Sequence, residues 1–166
     1  MIPLLPYQRL IFESPLSKEE VVRRLTLEVA TRQFGWRWSD ERTETFEGTV
    51  SEESFQINRI IRYRNSFLPV IQGRISPHAR GVQIAVTMRL HVAVLIFSIV
   101  WLSFVGFGVT AFVSEFLETR RVEVGALIPI GMMIFFYLMV TIGFGVEANK
   151  ASKLLGKIFD AVDSGA

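Results

Sequence analysis

The sequence predicts an α+β cytoplasmic domain, followed by a two-helix transmembrane hairpin and a C-terminal amphipathic helix. Charged residues are dense before residue 90, absent from the two runs 92–113 and 124–146, and frequent again afterwards. Before residue 90, short segments in which apolar and polar residues alternate indicate strands, and one segment has helical spacing. We therefore expect a domain at 1–90, a hairpin at 91–146 and a separate amphipathic segment at 147–166.

The beginning of the chain predicts a strand and then a helix. Residues 7–13 alternate weakly, and Pro15 ends this strand. Ser17 and Glu20 form a capping-box pattern, in which the hydroxyl caps the helix while the carboxylate reaches back to the backbone. An apolar face at helical spacing follows and is expected to end near residue 32.

Four further strands are predicted at 46–50, 55–63, 68–75 and 82–91, joined as an antiparallel meander. Pro69 predicts an edge or a bulge in the third of them. Alternate residues of the last strand are expected to face the core: Val82, Ile84, Val86, Met88 and Leu90. The aromatic residues at 34–38 are expected to close the apolar end of the sheet.

The two charge-free runs are long enough to cross a bilayer as helices. The alternative is a pair of core helices in a soluble protein, but so small a domain could not surround two helices that are apolar on every face. Six Lys and Arg residues flank the terminal ends of the hairpin and two lie in its loop, which places both termini in the cytoplasm.

Small residues predict where the two helices pack, because they let helix backbones approach closely in lipid. Gly106 and Gly131 fall at a similar depth in an antiparallel hairpin, so we expect a contact there. The predicted packing residues are Ser103, Gly106, Thr110, Gly131, Thr141 and Gly145.

Basic residues on the polar face of the sheet predict a contact with anionic lipid headgroups or with an acidic partner surface. The last strand runs into the first apolar helix without a linker, which holds this face near the membrane. The candidate contact residues are Arg62, Arg64, Arg74, Arg89 and His91. A solvated strand face with ordinary charges is an equally good interpretation. The amphipathic segment after residue 146 can lie along the membrane or pack on the sheet, and we favour packing.

Enzymatic, metal-binding and nucleic-acid-binding functions find little support. The net charge is +2, the basic residues are interleaved with acids, and the chain has no cysteine. His78 and His91 have no partner at metal-ligand spacing, and adjacent acids fall in predicted turns. We expect no catalytic residue, metal or cofactor.

Residues 59–71, RIIRYRNSFLPVI, followed by Gly73, resemble the core of small membrane proteins found in bacteria, notably cyanobacteria. These proteins share a short N-terminal domain and a C-terminal hairpin. The family carries no assigned activity or site residues. The resemblance therefore implies a plasma or thylakoid membrane setting and no role for any single residue.

The expected function is that of a non-catalytic accessory or scaffold subunit, docked on a larger membrane complex such as a photosynthetic or respiratory one. Two alternatives remain open: a membrane-anchored protein that binds a lipid or amphiphile, and a self-assembling membrane scaffold. The expected partners are the lipid bilayer and other integral membrane subunits or further copies of the chain, and not nucleic acid.

Overall fold

The computed structural model describes residues 5–31, 45–61, 63–119, 125 and 127–163. The elements in this part of the chain are β1 (Tyr7–Ser14), α1 (Lys18–Glu28), β2 (Val29–Thr31), β3 (Phe46–Val50), β4 (Ser54–Arg59), β5 (Val70–His78), β6 (Gly81–Arg89), α2 (Val92–Thr119), α3 (Leu127–Ile158) and β7 (Val162–Asp163). The predicted features that lie outside the described residues are the aromatic cluster at 34–38, the candidate contact residue Arg62, residues 120–124 and 126 of the predicted hairpin, and residues 164–166 of the predicted C-terminal segment.

Helix α1 begins at a serine cap, as its sequence predicts. The Ser17 hydroxyl oxygen accepts a hydrogen bond from the backbone N–H of Glu20 at 3.3 Å. The Glu20 carboxylate does not reach back to the backbone as the capping box would require. It accepts hydrogen bonds at 2.8 Å from the side chains of Arg23 and Arg24, one turn further along the helix.

The sheet is larger than the predicted four-stranded meander. Its order is β2-β3-β4-β5-β6-β1-β7, with β2 parallel to β3 and every other neighbouring pair antiparallel. The first strand thus belongs to the same sheet, beside β6. The helix expected to continue to residue 32 ends at Glu28, and the β-branched residues Val29 and Thr31 enter strand β2 instead. We call the sheet together with α1 the sheet domain.

Helix α3 covers one face of this sheet. The expected inward residues of β6 are all buried, from Val82 to Leu90. They share one core with Ala148, Ala151, Leu155 and Phe159 of the segment from α3 onward. The C-terminal segment therefore packs on the sheet. It is not a separate helix, because α3 runs without a break through the predicted boundary at residue 146.

The two ends of the sheet meet different parts of the chain from α3 onward. Near the apolar helices, Val140 of α3 and Leu90, the first residue after β6, line the same groove. At the other end, the ring of Phe159 lies 5.6 Å from that of Phe12, which is opposite Ile84 of β6. The end of the sheet that carries Leu90 is therefore the end nearest the apolar part of α3, and the end that carries Phe12 is nearest its last turn.

Helices α2 and α3 are long and apolar enough to span a membrane. Their mean hydropathies are 2.5 and 2.2, and only 11% and 22% of their apolar windows are buried within the chain. At a rise of about 1.5 Å per residue, the two helices measure about 42 Å and 48 Å, against about 30 Å for the bilayer hydrocarbon. The excess length of α3 is the part that packs on the sheet.

Candidate functional site

A buried carboxylate lies where α3 leaves its apolar part. Glu147 is only 2% exposed, and it accepts hydrogen bonds from the Arg59 guanidinium and from the Tyr63 hydroxyl. The Lys150 ammonium donates to the same carboxylate at 3.0 Å and lies 5.7 Å from the centre of the Tyr63 ring. These four residues, the glutamate cluster, join the end of β4 to α3. Because a buried charge is tolerated only with partners, the cluster holds the two elements in one arrangement.

The chain that follows β4 also lies against α3. Asn65 orders this segment, since its side-chain oxygen accepts the backbone N–H of Phe67 at 2.9 Å. The Asn65 amide donates to the carbonyl of Gly143 at 3.4 Å. The Phe67 ring fits onto α3 at that glycine, where an added Cβ would come within 3.0 Å of the ring. Residues 59–71 therefore supply several contacts to α3, through Arg59, Tyr63, Asn65 and Phe67.

The uncovered face of the sheet carries a groove of about 730 Å³. Tyr7 and Arg89 lie opposite each other at the end next to α2, Arg9 lies opposite Thr87, and Arg74 lies opposite Ala85. At about 3.3 Å per residue, the levels of Arg9 and Arg74 are about 7 Å and 13 Å from that of Arg89. We call this the basic groove.

Only some of the candidate contact residues predicted from the sequence lie in the basic groove. Arg74 and Arg89 line it, and the predicted set did not include Arg9. Arg64 is exposed in the segment that lies against α3, not on this face. His91 is exposed as well, and its ring Nδ1 accepts the backbone N–H of Ala93 at 3.2 Å, which satisfies one of the free donors at the start of α2.

A second groove, of about 490 Å³, lies between α2, α3 and the residues just before β1. We call it the apolar groove. Its described lining consists of Leu5, Pro6, Leu90, Leu95, Ser98, Ile99, Leu102, Met133, Ile134, Phe136, Tyr137 and Val140. The hydroxyl of Ser98 is already used, because it donates to the carbonyl of Val94 at 2.7 Å.

The predicted contact between Gly106 and Gly131 is wrong. A Cβ built on either glycine meets no other described atom within 4 Å, whereas one built on Gly108 would lie 3.6 Å from Pro129 of α3. Aromatic side chains set the rotation of the helices, since the ring of Trp101 stacks on that of Phe136 at 4.4 Å.

The other four predicted packing residues differ in exposure, according to the helix on which they lie. Ser103 and Thr110 of α2 are exposed on the outside of the hairpin. Thr141 and Gly145 of α3 are buried, and the Thr141 hydroxyl donates to the carbonyl of Tyr137 in the preceding turn.

Within the described ranges, no three metal-ligating side chains of the His, Cys, Asp or Glu types come together. Comparison of the chain with protein-family models, with curated proteins and with solved structures finds no match.

Sequence reasoning missed Glu147, its partners and Arg9. One signal for Glu147 was available, because it is the first charged residue after a charge-free run. Its partners Arg59 and Tyr63 are 88 and 84 residues away in the chain, and no local pattern connects them to it. Arg9 becomes part of the basic groove only through the pairing of β1 with β6, which the four-stranded prediction did not contain.

Proposed function

We propose that this protein is a non-catalytic integral membrane accessory subunit, which positions its sheet domain beside a larger membrane protein complex. One observation carries the proposal. Helix α3 is a single helix whose first part exposes large apolar side chains and whose last part forms the core of the sheet domain. A helix shared in this way fixes a domain relative to a bilayer, which is what a positioning subunit needs.

The membrane setting is supported by the exposed surface of the hairpin. Phe104, Phe107 and Phe135 are 81%, 75% and 68% exposed, and they point away from the contact between the helices. So large an apolar surface is unfavourable in water and is matched by lipid chains. The excess of Lys and Arg at the terminal ends of the hairpin supports a topology with both termini in the cytoplasm, and the family resemblance supports a bacterial plasma or thylakoid membrane.

Docking on other membrane helices is supported by small residues of α2 that take no part in its contact with α3. Ser103, Gly106 and Thr110 lie on α2 at spacings of three and four, and their side of the helix is free of contact with α3 among the described residues. Contacts between helices in lipid are enriched in small residues, which let the backbones approach closely, because no hydrophobic force drives the helices together there. A photosynthetic or respiratory assembly is a suitable partner in either membrane.

Extraction from native membranes in a mild detergent, followed by a native gel and mass spectrometry, tests this function. We expect the chain to migrate with a defined larger complex. Gly106→Leu should abolish this co-migration, while Ala111→Leu, which places the same side chain elsewhere on the exposed surface of α2, should preserve it. Migration as a monomer would contradict the proposal, and oligomers of this chain alone would replace it with a self-assembling scaffold.

A further inference from the structure

We propose that the basic groove binds an acidic segment of the neighbouring subunit, whose carboxylates pair with Arg9, Arg74 and Arg89. This inference rests on the proposed function and deepens it, because it states the chemistry of the surface that the partner presents to the sheet domain. It concerns the part of the chain outside the bilayer and is separate from the helix contact through α2.

The arginines of the basic groove have no anionic partner in the described part of the chain. All three are exposed, and none of them takes part in the ion pairs found there. None of the described lining residues is acidic, and Glu13 and Glu47, on the same sheet face, are not part of the lining. Three like charges in one groove repel one another, so a ligand that carries several negative charges is favoured.

The three arginines are evenly spaced along the strand direction. Arg89 lies opposite Tyr7, and Arg9 is two residues further along β1. Arg74 lies opposite Ala85, which is two residues beyond the level of Arg9. Each step is therefore about 7 Å, which is also the distance between alternate side chains of an extended segment. Acidic residues at alternate positions of such a segment meet all three arginines at once.

The floor of the basic groove fits a peptide better than a phosphate. Gln56 and Gln72 are hydrogen-bonded to each other at 3.1 Å, and both line the groove. Thr49 lies opposite Gln56, and Thr87 lies opposite Gln72. Amide and hydroxyl groups both donate and accept hydrogen bonds, as the backbone of a peptide requires. A phosphate mainly accepts, and it would have to draw in arginines from levels about 13 Å apart, at a cost in side-chain freedom.

Helix α3 is aligned with the strands of the sheet. Glu147 of α3 accepts a hydrogen bond from Arg59, at the end of β4. Further along, the ring of Phe159, just after α3, lies 6.1 Å from that of Phe55, near the start of β4. Since both contacts lie on one strand, the packed part of α3 runs along that strand, with its axis parallel to the sheet.

This alignment determines where the basic groove opens. The groove is on the sheet face opposite α3, so when α3 spans the bilayer the groove opens parallel to the membrane plane and not toward it. A flat headgroup layer reaches only the Arg89 end, next to α2, whereas Arg74 is about 13 Å further along the strands. A protein that lies beside the sheet domain reaches all three arginines.

Peptide binding by the full chain in a neutral detergent tests the proposal. The probes are a fluorescein-labelled peptide in which Glu alternates with Ser, and a matched peptide in which Gln replaces Glu. Fluorescence anisotropy at low ionic strength measures both affinities. Because each exposed ion pair contributes modestly, we expect the Glu peptide to bind about tenfold more tightly than the Gln peptide. Added salt should reduce this difference.

Two double variants that remove the same charge show whether the groove is responsible. Arg9→Gln/Arg74→Gln should bring the affinity for the Glu peptide close to that for the Gln peptide. Arg64→Gln/Arg80→Gln, which changes two exposed arginines outside the groove, should keep most of the preference.

A dye in the groove distinguishes an acidic protein segment from lipid headgroups. The chain has no cysteine, so an environment-sensitive dye attached to the Thr87→Cys variant reports only on the groove. In nanodiscs, its emission should change when the Glu peptide is added and should be the same in phosphatidylcholine and phosphatidylglycerol. A change with phosphatidylglycerol and none with the peptide would assign the groove to headgroups and overturn the proposal.

Equal affinity of the parent chain for the two peptides would also overturn it. So would an equal loss of preference in the two double variants, or full displacement of the Glu peptide by an equal concentration of inorganic phosphate. Co-migration with a larger complex is measured in parallel. A parent chain that co-migrates but does not prefer the Glu peptide loses only the acidic contact, whereas one that migrates as a monomer loses the docking function.

Discussion

The guanidinium of Arg59, the last residue of β4, donates a hydrogen bond to the carboxylate of Glu147 in the middle of α3. The Arg59 side chain is 18% exposed and that of Glu147 is 2% exposed, so both charges have lost most of their water. The pair lies immediately beyond the charge-free part of α3. It therefore ties the sheet to the helix at the level where the helix leaves its apolar part.

Removing the carboxylate should destabilise the sheet domain. Glu147→Ala leaves the Arg59 charge largely buried without its partner, and we expect a loss of about 3 kcal/mol in the free energy of unfolding, at the lower end of the range for breaking a buried pair because Arg59 keeps some solvent. Unfolding of the full chain in detergent measures this. Glu52→Gln, at an exposed turn residue, is the control and should change stability little.

The double variant Arg59→Leu/Glu147→Leu separates pairing from packing. Replacing both charges with apolar groups removes the unpaired charge, so we expect the double variant to be clearly more stable than Glu147→Ala. A double variant as unstable as the single one would show that the pair does not account for the loss.

The hairpin contact should depend on aromatic stacking. Trp101→Ala removes the ring that stacks on Phe136, and lipid chains can replace its burial but not the ring contact. We expect the hairpin to lose about 0.5 to 1.5 kcal/mol, measured by denaturation in mixed micelles. Phe104→Ala, on the same helix at a position 81% exposed, should have almost no effect. Equal effects of the two substitutions would contradict the observed rotation of the helices.

The two ends of α2 should be accessible from opposite sides of the membrane. The chain has no cysteine, so any labelling comes from the cysteine that is introduced. We choose Ala79, in the turn before β6, and Glu118, near the end of α2. In sealed vesicles of known orientation, an impermeant maleimide should label Ala79→Cys only from the cytoplasmic face and Glu118→Cys only from the other. Labelling of both from one face would exclude a membrane-spanning α2.

Acid should weaken the start of α1. The hydrogen bond from Arg23, joined by that from Arg24, lowers the pKa of Glu20 from 4.5 to about 2. Because the pKa is lower in the folded chain, the carboxylate contributes stability that is complete above about pH 4.5 and is lost as the pH falls toward 2. Glu20→Gln should flatten the stability profile in this window, and Glu13→Gln, at an exposed residue of β1, should not. A side-chain NMR titration of Glu20 measures the pKa directly.

The parts of the fold that could be predicted are those with local signals. Alternation identified the buried face of β6, and the charge-free runs identified two long apolar helices after an α+β domain. The extent of the sheet could not be predicted in this way, because the pairing of β1 with β6 joins Tyr7 to Arg89, far apart in the chain.

Only part of the candidate site could be predicted from the sequence, for the same reason. Arg74 and Arg89 could be placed on one sheet face from alternation alone, but Arg9 required the β1–β6 pairing. The spacing of small residues did not identify the helix contact, because the stacking of Trp101 on Phe136 rotates Gly106 away from α3. The size and shape of particular side chains decide that rotation, and spacing carries no information about them.

Helix α3 belongs both to the hairpin and to the sheet domain, and this determines when the sheet domain can be completed during synthesis. Strands β1 to β6 emerge from the ribosome long before Ala151, Leu155 and Phe159, which complete their core. Until those residues arrive, the inner face of the sheet remains open and prone to aggregation. Since α3 enters the core only after the apolar part of the same helix has been made, the sheet domain can be completed only after both apolar helices have been synthesised.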